Sequence, residues 1–119
     1  HDHDGLKLVS TKIEISFISA DRRGYEISER RVHDMGFGLQ LVSEKDRYNL
    51  LYNKYDFNKL IFMGDGIHDV KILKNCLFGI TPKNARIEAK EASDFITHSK
   101  AGEGAVLDAC IEIKKKFID

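Results

Sequence analysis

The chain has 119 residues, a length typical of one domain built around one hydrophobic core. Its 19 lysine and arginine residues balance 19 aspartate and glutamate residues, so no overall charge favours nucleic acid or an anionic membrane as a partner. No apolar run approaches the length of a membrane span, and no basic-then-apolar leader opens the sequence.

The first half of the chain alternates helix-like and strand-like segments, judged from the spacing of apolar residues. We predict, in order, about two helical turns over 6–12, a strand over 13–18, a helix over 25–35 ended by Gly36, a strand over 39–42 and a helix over 45–55.

The second half continues this alternation. It predicts a buried strand over 60–63, a helix over 69–75, a strand over 77–80, a helix over 84–92 capped by Asn84, a strand over 94–97 and a helix over 104–117. Alternating strands and helices with short connections indicate an α/β fold whose parallel sheet is covered on both faces. Ligands of such sheets bind at the carboxyl ends of the strands.

Cys76 and Cys110 are the only cysteines, and both fall in helix-like segments without metal-type spacing. This pattern is typical of small buried residues in a reducing compartment rather than of a disulfide framework. We therefore expect a cytoplasmic protein.

The strand over 60–63 leads into Gly-Asp-Gly, and this acidic turn is the most informative part of the sequence. Asp65 and Asp69 lie four residues apart across it, so both carboxylates can converge just beyond the sheet if Asp69 opens the next helix. Hard oxygen ligands on a short loop suit Mg²⁺, which fills its remaining positions with water and phosphate oxygens. The alternative is that Gly64 and Gly66 only make the turn and that Asp69 only caps a helix.

Several motifs together resemble one known family. Residues 64–69 resemble the GDxxxD motif of the haloacid dehalogenase (HAD) superfamily, and Phe17-Ile18-Ser19 resembles its second motif, a Ser or Thr after a buried strand. Residues 101–106 resemble the GGxGAV loop of the capless branch that includes 3-deoxy-manno-octulosonate 8-phosphate phosphatase and acylneuraminate-associated domains. Residues 4–6 followed by 35–37 are also similar to that branch. The resemblance implies a single three-layer, Rossmann-like domain over 1–119, without a cap domain.

The resemblance also implies roles for the matched residues. Asp65 would bind Mg²⁺ directly, Asp69 would support the metal or its waters, and the Ser19 hydroxyl would hydrogen-bond the phosphoryl group of a substrate that also meets Gly66. The bland interpretation of Ser19 is an ordinary helix cap. A phosphomonoester hydrolase of this kind needs mainly positioning and neutralised charge.

A cation before the acidic strand balances negative charge in this family, and Lys45 and Arg47 compete for that position. We favour Lys45 as a catalytic residue, because a compact ammonium serves better as a point charge, and keep Arg47 as a substrate-binding alternative. Both side chains are equally compatible with a solvated helix N-terminus.

The family's first motif, DxDx(T/V) after a buried strand, supplies the nucleophile that forms an aspartyl-phosphate and the general acid and base. Asp2 and Asp4 have the right spacing but no strand before them, and Asp4-Gly5-Leu6 matches better an Asp-Gly found further along in these phosphatases. We therefore expect the N-terminal strand and the nucleophile to be missing from this chain. His1 and His3 are an alternative metal pair, although a frayed terminus is the more ordinary state.

A missing first strand would leave a gap between the strands over 13–18 and 60–63, with unpaired backbone groups on both sides. We expect another chain or an N-terminal segment to fill that gap, or the two strands to close onto each other.

Two functions remain open. One is a Mg²⁺-dependent hydrolase of a small, sugar-type phosphate, inactive in this chain if no nucleophile is supplied. The other is an inert HAD-like module that serves assembly or regulation. The resemblance further implies a homo-oligomer, a tetramer in this branch. Glu103 replaces a basic residue of related loops, which counts against a sugar acid as ligand. A phosphorelay receiver fits less well, because receivers carry their acidic pair on the first strand.

Overall fold

The computed structural model describes residues 2–19, 30, 33 and 39–119. The helices within these ranges are α1 (Asp2–Ser10), α2 (Arg47–Lys54), α3 (Val70–Asn75), α4 (Ile87–Ala92) and α5 (Ala105–Ile113), with short 3₁₀ turns at Phe57–Lys59 and Ile67–Asp69 and a wider turn at Lys114–Ile118. The strands are β1 (Phe17–Ser19), β2 (Leu39–Leu41), β3 (Ile61–Met63), β4 (Phe78–Thr81) and β5 (Phe95–Ile96).

All described strand pairs are parallel, as the alternation of strands and helices predicts. β1 pairs with β2, while β3, β4 and β5 form a second group in that order. No pairing joins β1 to β3 in the described ranges, so the two strands do not close onto each other. The expectation that another segment or chain fills the space between them stays a prediction.

Side chains from β3 and β4 alternate between two apolar layers. On one face Phe62 packs with residues of α2, α3 and α4, including Leu51, Ile72 and Ala89. On the other face Phe78 and Ile80 pack with Ala109 of α5. Helices therefore cover both faces of the sheet, and the three-layer α/β architecture expected from the sequence is confirmed.

The first described helix packs against the last one. Leu6 and Val9 of α1 form an apolar cluster with Cys110 of α5. Gly5 permits this close approach, because a Cβ at that position would lie 2.8 Å from the Leu107 Cα atom. Within the described part of the chain, no helix combines the length and apolar character needed to cross a bilayer.

The early elements differ in detail from their predicted positions. The strand predicted over 13–18 is shorter and displaced, at Phe17–Ser19, because the Ile13 amide still donates to the Val9 carbonyl of the preceding helix, 2.9 Å away. The first helix also begins earlier than predicted, at Asp2. The helix predicted over 25–35 lies outside the described residues.

Asn84 was predicted to cap the helix over 84–92, and this prediction is wrong. The helix begins at Ile87, and no side chain caps it. The Asn84 Oδ1 instead accepts a hydrogen bond of 2.8 Å from the Ala101 amide. Asn84 therefore ties the loop after β4 to the loop after β5 at the edge of the sheet where parallel strands end.

Candidate active site

A cavity of about 470 Å³ lies between the end of β1 and the end of β3. Its lining combines apolar strand residues with charged residues from the loop after β2, from α2 and from the acidic turn. These residues are Ile18, Glu44, Arg47, Phe62, Met63, Gly64, Asp65, Gly66, His68 and Asp69. The acidic turn predicted from the sequence to carry the chemistry therefore does face a cavity.

The backbone of the acidic turn is anchored on the neighbouring strand. The Gly64 amide donates to the Ile80 carbonyl at 3.1 Å, and the Thr81 hydroxyl donates to the Gly64 carbonyl at 2.7 Å. One residue further on, the Arg86 amide donates to the Asp65 carbonyl at 3.1 Å. The loop after β4 thus holds the turn from its outer side.

Asp69 holds the same turn from within. Its side chain is 4% exposed, and its Oδ2 accepts from the Asp65 and Gly66 amides at 3.0 and 3.1 Å. Its Oδ1 accepts from the Arg47 Nη1 at 2.6 Å. Gly64 lies directly against this carboxylate, since a Cβ there would stand 2.6 Å from the Asp69 Cγ and would force a neighbour to move. Both oxygens of Asp69 are engaged, which places it as an organiser of the turn.

Arg47 is the cation that reaches this site. Its side chain is 13% exposed, and its Nε is buried without a hydrogen-bond partner among the described residues. Lys45, which we favoured from the sequence, is exposed and does not line the cavity. Of the two competing cations the structure therefore brings Arg47 to the cavity, where its planar guanidinium contacts Asp69 and still has a donor left, and a catalytic role for Lys45 stays a prediction.

Asp65 differs from Asp69 in being exposed at the cavity. Its carboxylate has no hydrogen-bond partner in the ranges that the structure covers. No group of three or more His, Cys, Asp or Glu side chains within those ranges forms a ready-made metal cage. A free carboxylate beside backbone held this firmly nevertheless fits Mg²⁺, which is typically bound by one or two carboxylates with waters and phosphate oxygens.

Two residues that we did not select from the sequence also line the cavity. His68 Nε2 lies 3.1 Å from Glu44 Oε2, and each side chain is about half exposed, at 53% and 55%. The pair connects the loop after β2 to the acidic turn across the cavity. His68 stands between the two motif carboxylates in the sequence, but its partner could not be found there, because Glu44 is distant in the chain and carries no motif.

The remaining candidates lie as follows. Ser19 is the last residue of β1 and directly follows the cavity residue Ile18. The structure describes its backbone but not its side chain. The Gly66 amide predicted to meet substrate is already bonded to Asp69. Asp2 and Asp4 both fall within α1 rather than at the end of a strand, which removes the geometry that the first motif requires. His1 lies outside the described residues, and His3 is exposed on α1.

Comparison with known proteins places these features in a family context. A model of the haloacid dehalogenase-like hydrolases matches residues 47–109, which contain Arg47, the acidic turn and the loops after β4 and β5. A phosphoglycolate phosphatase of Archaeoglobus fulgidus is 28% identical over 100 residues, covering 71% of this chain and 45% of that protein. The chain thus spans less than half the length of this curated relative.

Solved structures match more of the fold. A probable YrbI family phosphatase from Pseudomonas syringae superposes with a TM-score of 0.85 at 23% identity, covering 96% of this chain and 67% of that one. The 3-deoxy-D-manno-octulosonate 8-phosphate phosphatase of Moraxella catarrhalis, solved with magnesium, phosphate and its KDO ligand, gives 0.78 at 24% identity over 96% and 68%. The cobalt-bound enzyme of Haemophilus influenzae gives 0.78 at 22% over 96% and 69%. At sequence identities this low, the structural likeness establishes the fold alone.

Proposed function

Since the chain belongs to the haloacid dehalogenase-like hydrolase family, we propose that it forms the metal-binding part of a Mg²⁺-dependent phosphomonoester hydrolase. The observation that carries this proposal is the contrast between the two carboxylates of the acidic turn. Both carboxylate oxygens of Asp69 are bonded, to Arg47 and to two amides, whereas the Asp65 carboxylate has no partner among the described residues and lines the cavity. A free carboxylate on a loop that a second carboxylate holds in place suits a Mg²⁺ ion.

The chain's own residues divide the work. Asp65 would hold Mg²⁺, which supplies electrostatic stabilisation of the charge on a transferring phosphoryl group. Arg47 has a buried Nε–H left over after binding Asp69, and this donor is suited to a phosphate oxygen. Asp69 keeps Arg47 and the turn in place. We propose an aspartyl-phosphate route for the reaction, with the nucleophile supplied at the gap between β1 and β3.

The substrate proposed is a small, sugar-type phosphate. The Moraxella structure contains a sugar acid and phosphate, which supports a sugar-type compound, and the Archaeoglobus relative is called a phosphoglycolate phosphatase, which supports a small phosphate. Both names involve carboxylate-bearing compounds, so the acidic Glu103 leaves the sugar acid itself the weaker choice. A homo-oligomer and a cytoplasmic location stay predictions.

The alternative is an inert HAD-like module that serves assembly or regulation. One observation favours it: Asp2 and Asp4 lie in helix α1, so neither stands at the end of a strand as a nucleophile of this family does. Catalysis and inertness differ in turnover only when a nucleophile is supplied, and metal binding alone does not separate them.

The metal proposal is tested with Asp65→Asn and a matched exposed carboxylate, Glu91→Gln on α4. We expect calorimetric titration to show Mg²⁺ binding by the parent chain and by Glu91→Gln, and to show most of the affinity lost in Asp65→Asn. Folding stability should stay the same or rise, because the change removes an unpaired charge beside Asp69. Equal binding by Asp65→Asn would reduce Asp65 to a turn residue.

Activity is tested by hydrolysis of an aryl phosphate with and without Mg²⁺. We expect little or no turnover from this chain, because Mg²⁺ and Ser19 can hold a phosphate but cannot attack it. Robust turnover that is lost in Asp2→Asn would make Asp2 the nucleophile.

A further inference from the structure

Asp65 lies outside helix and strand, yet both peptide groups flanking it are held at both of their polar atoms. In the group before it, the Gly64 carbonyl accepts from Thr81 and the Asp65 amide donates to Asp69. In the group after it, the Asp65 carbonyl accepts from the Arg86 amide and the Gly66 amide donates to Asp69. These four bonds fix the backbone direction from which the Asp65 side chain leaves.

Only two side chains supply these bonds, Asp69 and Thr81. Asp69 belongs to the acidic motif itself. Thr81 is the last residue of β4, has no exposed surface and reaches the turn through a hydroxyl bond of 2.7 Å. Packing alone would be satisfied equally well by valine, which is nearly the same shape and has a high strand propensity. The hydroxyl therefore adds something that the core does not require.

We propose that Thr81 is a positioning residue for the metal-binding carboxylate, acting through the Gly64 carbonyl. This inference rests on the proposed function, in that Asp65 is taken as the metal ligand. Thr81 orients the peptide group that precedes Asp65, and Asp69 fixes the same group from the opposite side. A carboxylate held on a preformed backbone loses less conformational freedom when it binds a cation.

The chain offers a matched control at the next strand. Thr97 follows β5 directly, is 1% exposed, and donates its hydroxyl to the Ser99 carbonyl at 2.6 Å. Its amide donates to the Thr81 carbonyl at 2.9 Å. Thr97 thus has the same burial and the same type of bond, but it holds a loop without cavity-lining residues. Thr97→Val measures what losing such a hydroxyl does to folding in general.

The test compares amide hydrogen exchange in Thr81→Val, Thr81→Ser and Thr97→Val. We expect the Asp65 and Gly66 amides of Thr81→Val to exchange about tenfold faster relative to the amides of β4, which report global opening. Thr81→Ser should restore the parent ratio, and Thr97→Val should leave it unchanged. If Thr81→Val does not fold, Thr81→Ala against Thr81→Ser makes the same comparison.

The second readout is binding of Mn²⁺, followed by paramagnetic broadening of the Asp65 and Gly66 amides. We expect Thr81→Val to lower the affinity for Mn²⁺ about tenfold, as loss of a residue that supports a metal ligand typically does. Thr97→Val should leave this affinity unchanged. An unchanged exchange ratio in Thr81→Val, or an equal rise in Thr97→Val, would overturn the proposal. A parent chain that binds no Mn²⁺ would count against the proposed function, and the exchange ratio would still decide whether Thr81 positions the turn.

Discussion

The turn after β3 and the loop after β5 are built with the same local parts. In the turn, a threonine hydroxyl binds the Gly64 carbonyl, and Asp69 from the start of the following helix accepts backbone amides. In the loop, a threonine hydroxyl binds the Ser99 carbonyl, and Asp108 from the first turn of α5 accepts the Ser99 amide at 2.8 Å. Both connections thus use one hydroxyl donor and one carboxylate acceptor.

The difference between them is a cation. Asp69 is also paired with Arg47 from α2, while no cation pairs with Asp108 within the described residues. The turn is consequently tied to an element from the other side of the cavity, whereas the loop is tied only to its own helix. The turn therefore differs from the loop in two ways. Arg47, from a distant part of the chain, neutralises the Asp69 carboxylate, and the second carboxylate of the turn, Asp65, stays free at the cavity.

The largest test of this comparison is Asp69→Asn against Asp108→Asn. Asp69→Asn leaves the mostly buried Arg47 charge without its partner, and we expect a loss of about 3–5 kcal/mol in the free energy of unfolding. Asp108→Asn weakens one hydrogen bond, and we expect about 1 kcal/mol. Urea denaturation measures both, and equal losses would mean that the ion pair adds nothing to the local device.

A second test approaches the ion pair from the cation. Arg47→Met leaves the Asp69 carboxylate buried with its two amide donors but no opposite charge, and should cost about 2–3 kcal/mol. Lys45 lies two residues earlier, and its side chain is exposed. Lys45→Met should therefore change the free energy of unfolding by less than about 0.5 kcal/mol. The urea midpoint reports both variants. A larger effect at Lys45 would restore the preference that the sequence suggested.

The smallest effect concerns the space beneath Asp69. Gly64→Ala places a Cβ 2.6 Å from the Asp69 Cγ, which forces the carboxylate or the strand to move and should cost about 1–2 kcal/mol. Gly66→Ala puts its nearest contact at an ordinary 3.8 Å, so its stability should stay within about 0.5 kcal/mol of the parent. Thermal unfolding of the pair decides the matter, and similar midpoints would show that the turn is less tightly packed than its geometry indicates.

The sequence predicted those features that depend on neighbouring residues. The strand over 60–63 and the turn at Gly64 follow from local spacing, and the parallel sheet follows from the alternation of elements; that both carboxylates meet at one metal ion stays a prediction. The start of β1 was predicted too early, because the alternating β-branched residues from Ile13 onward resemble a strand. The Ile13 amide is in fact still bonded to the Val9 carbonyl of α1.

Residues whose roles depend on contacts between distant parts of the chain could not be predicted from the sequence. Thr81 looks like any β-branched strand residue, and only the pairing of β3 with β4 brings its hydroxyl to Gly64. Lys45 lies in the turn before α2 and is exposed, whereas Arg47 begins α2 and lines the cavity, a difference that the sequence does not show. Asn84 had the composition of a cap, but a loop brought close by the fold offered its side chain a different amide.

The contact of Gly5 with Leu107 has a consequence for the order in which the protein folds. Leu6 and Val9 pack with Cys110 of α5, which lies far along the chain, so α1 leaves the ribosome long before α5 exists to complete its apolar cover. Contacts between such distant parts of a chain form slowly, because a large loop must close first. Until α5 is released, α1 lacks this part of its apolar cover, and exposed apolar surface of this kind opens a nascent chain to chaperones and to aggregation.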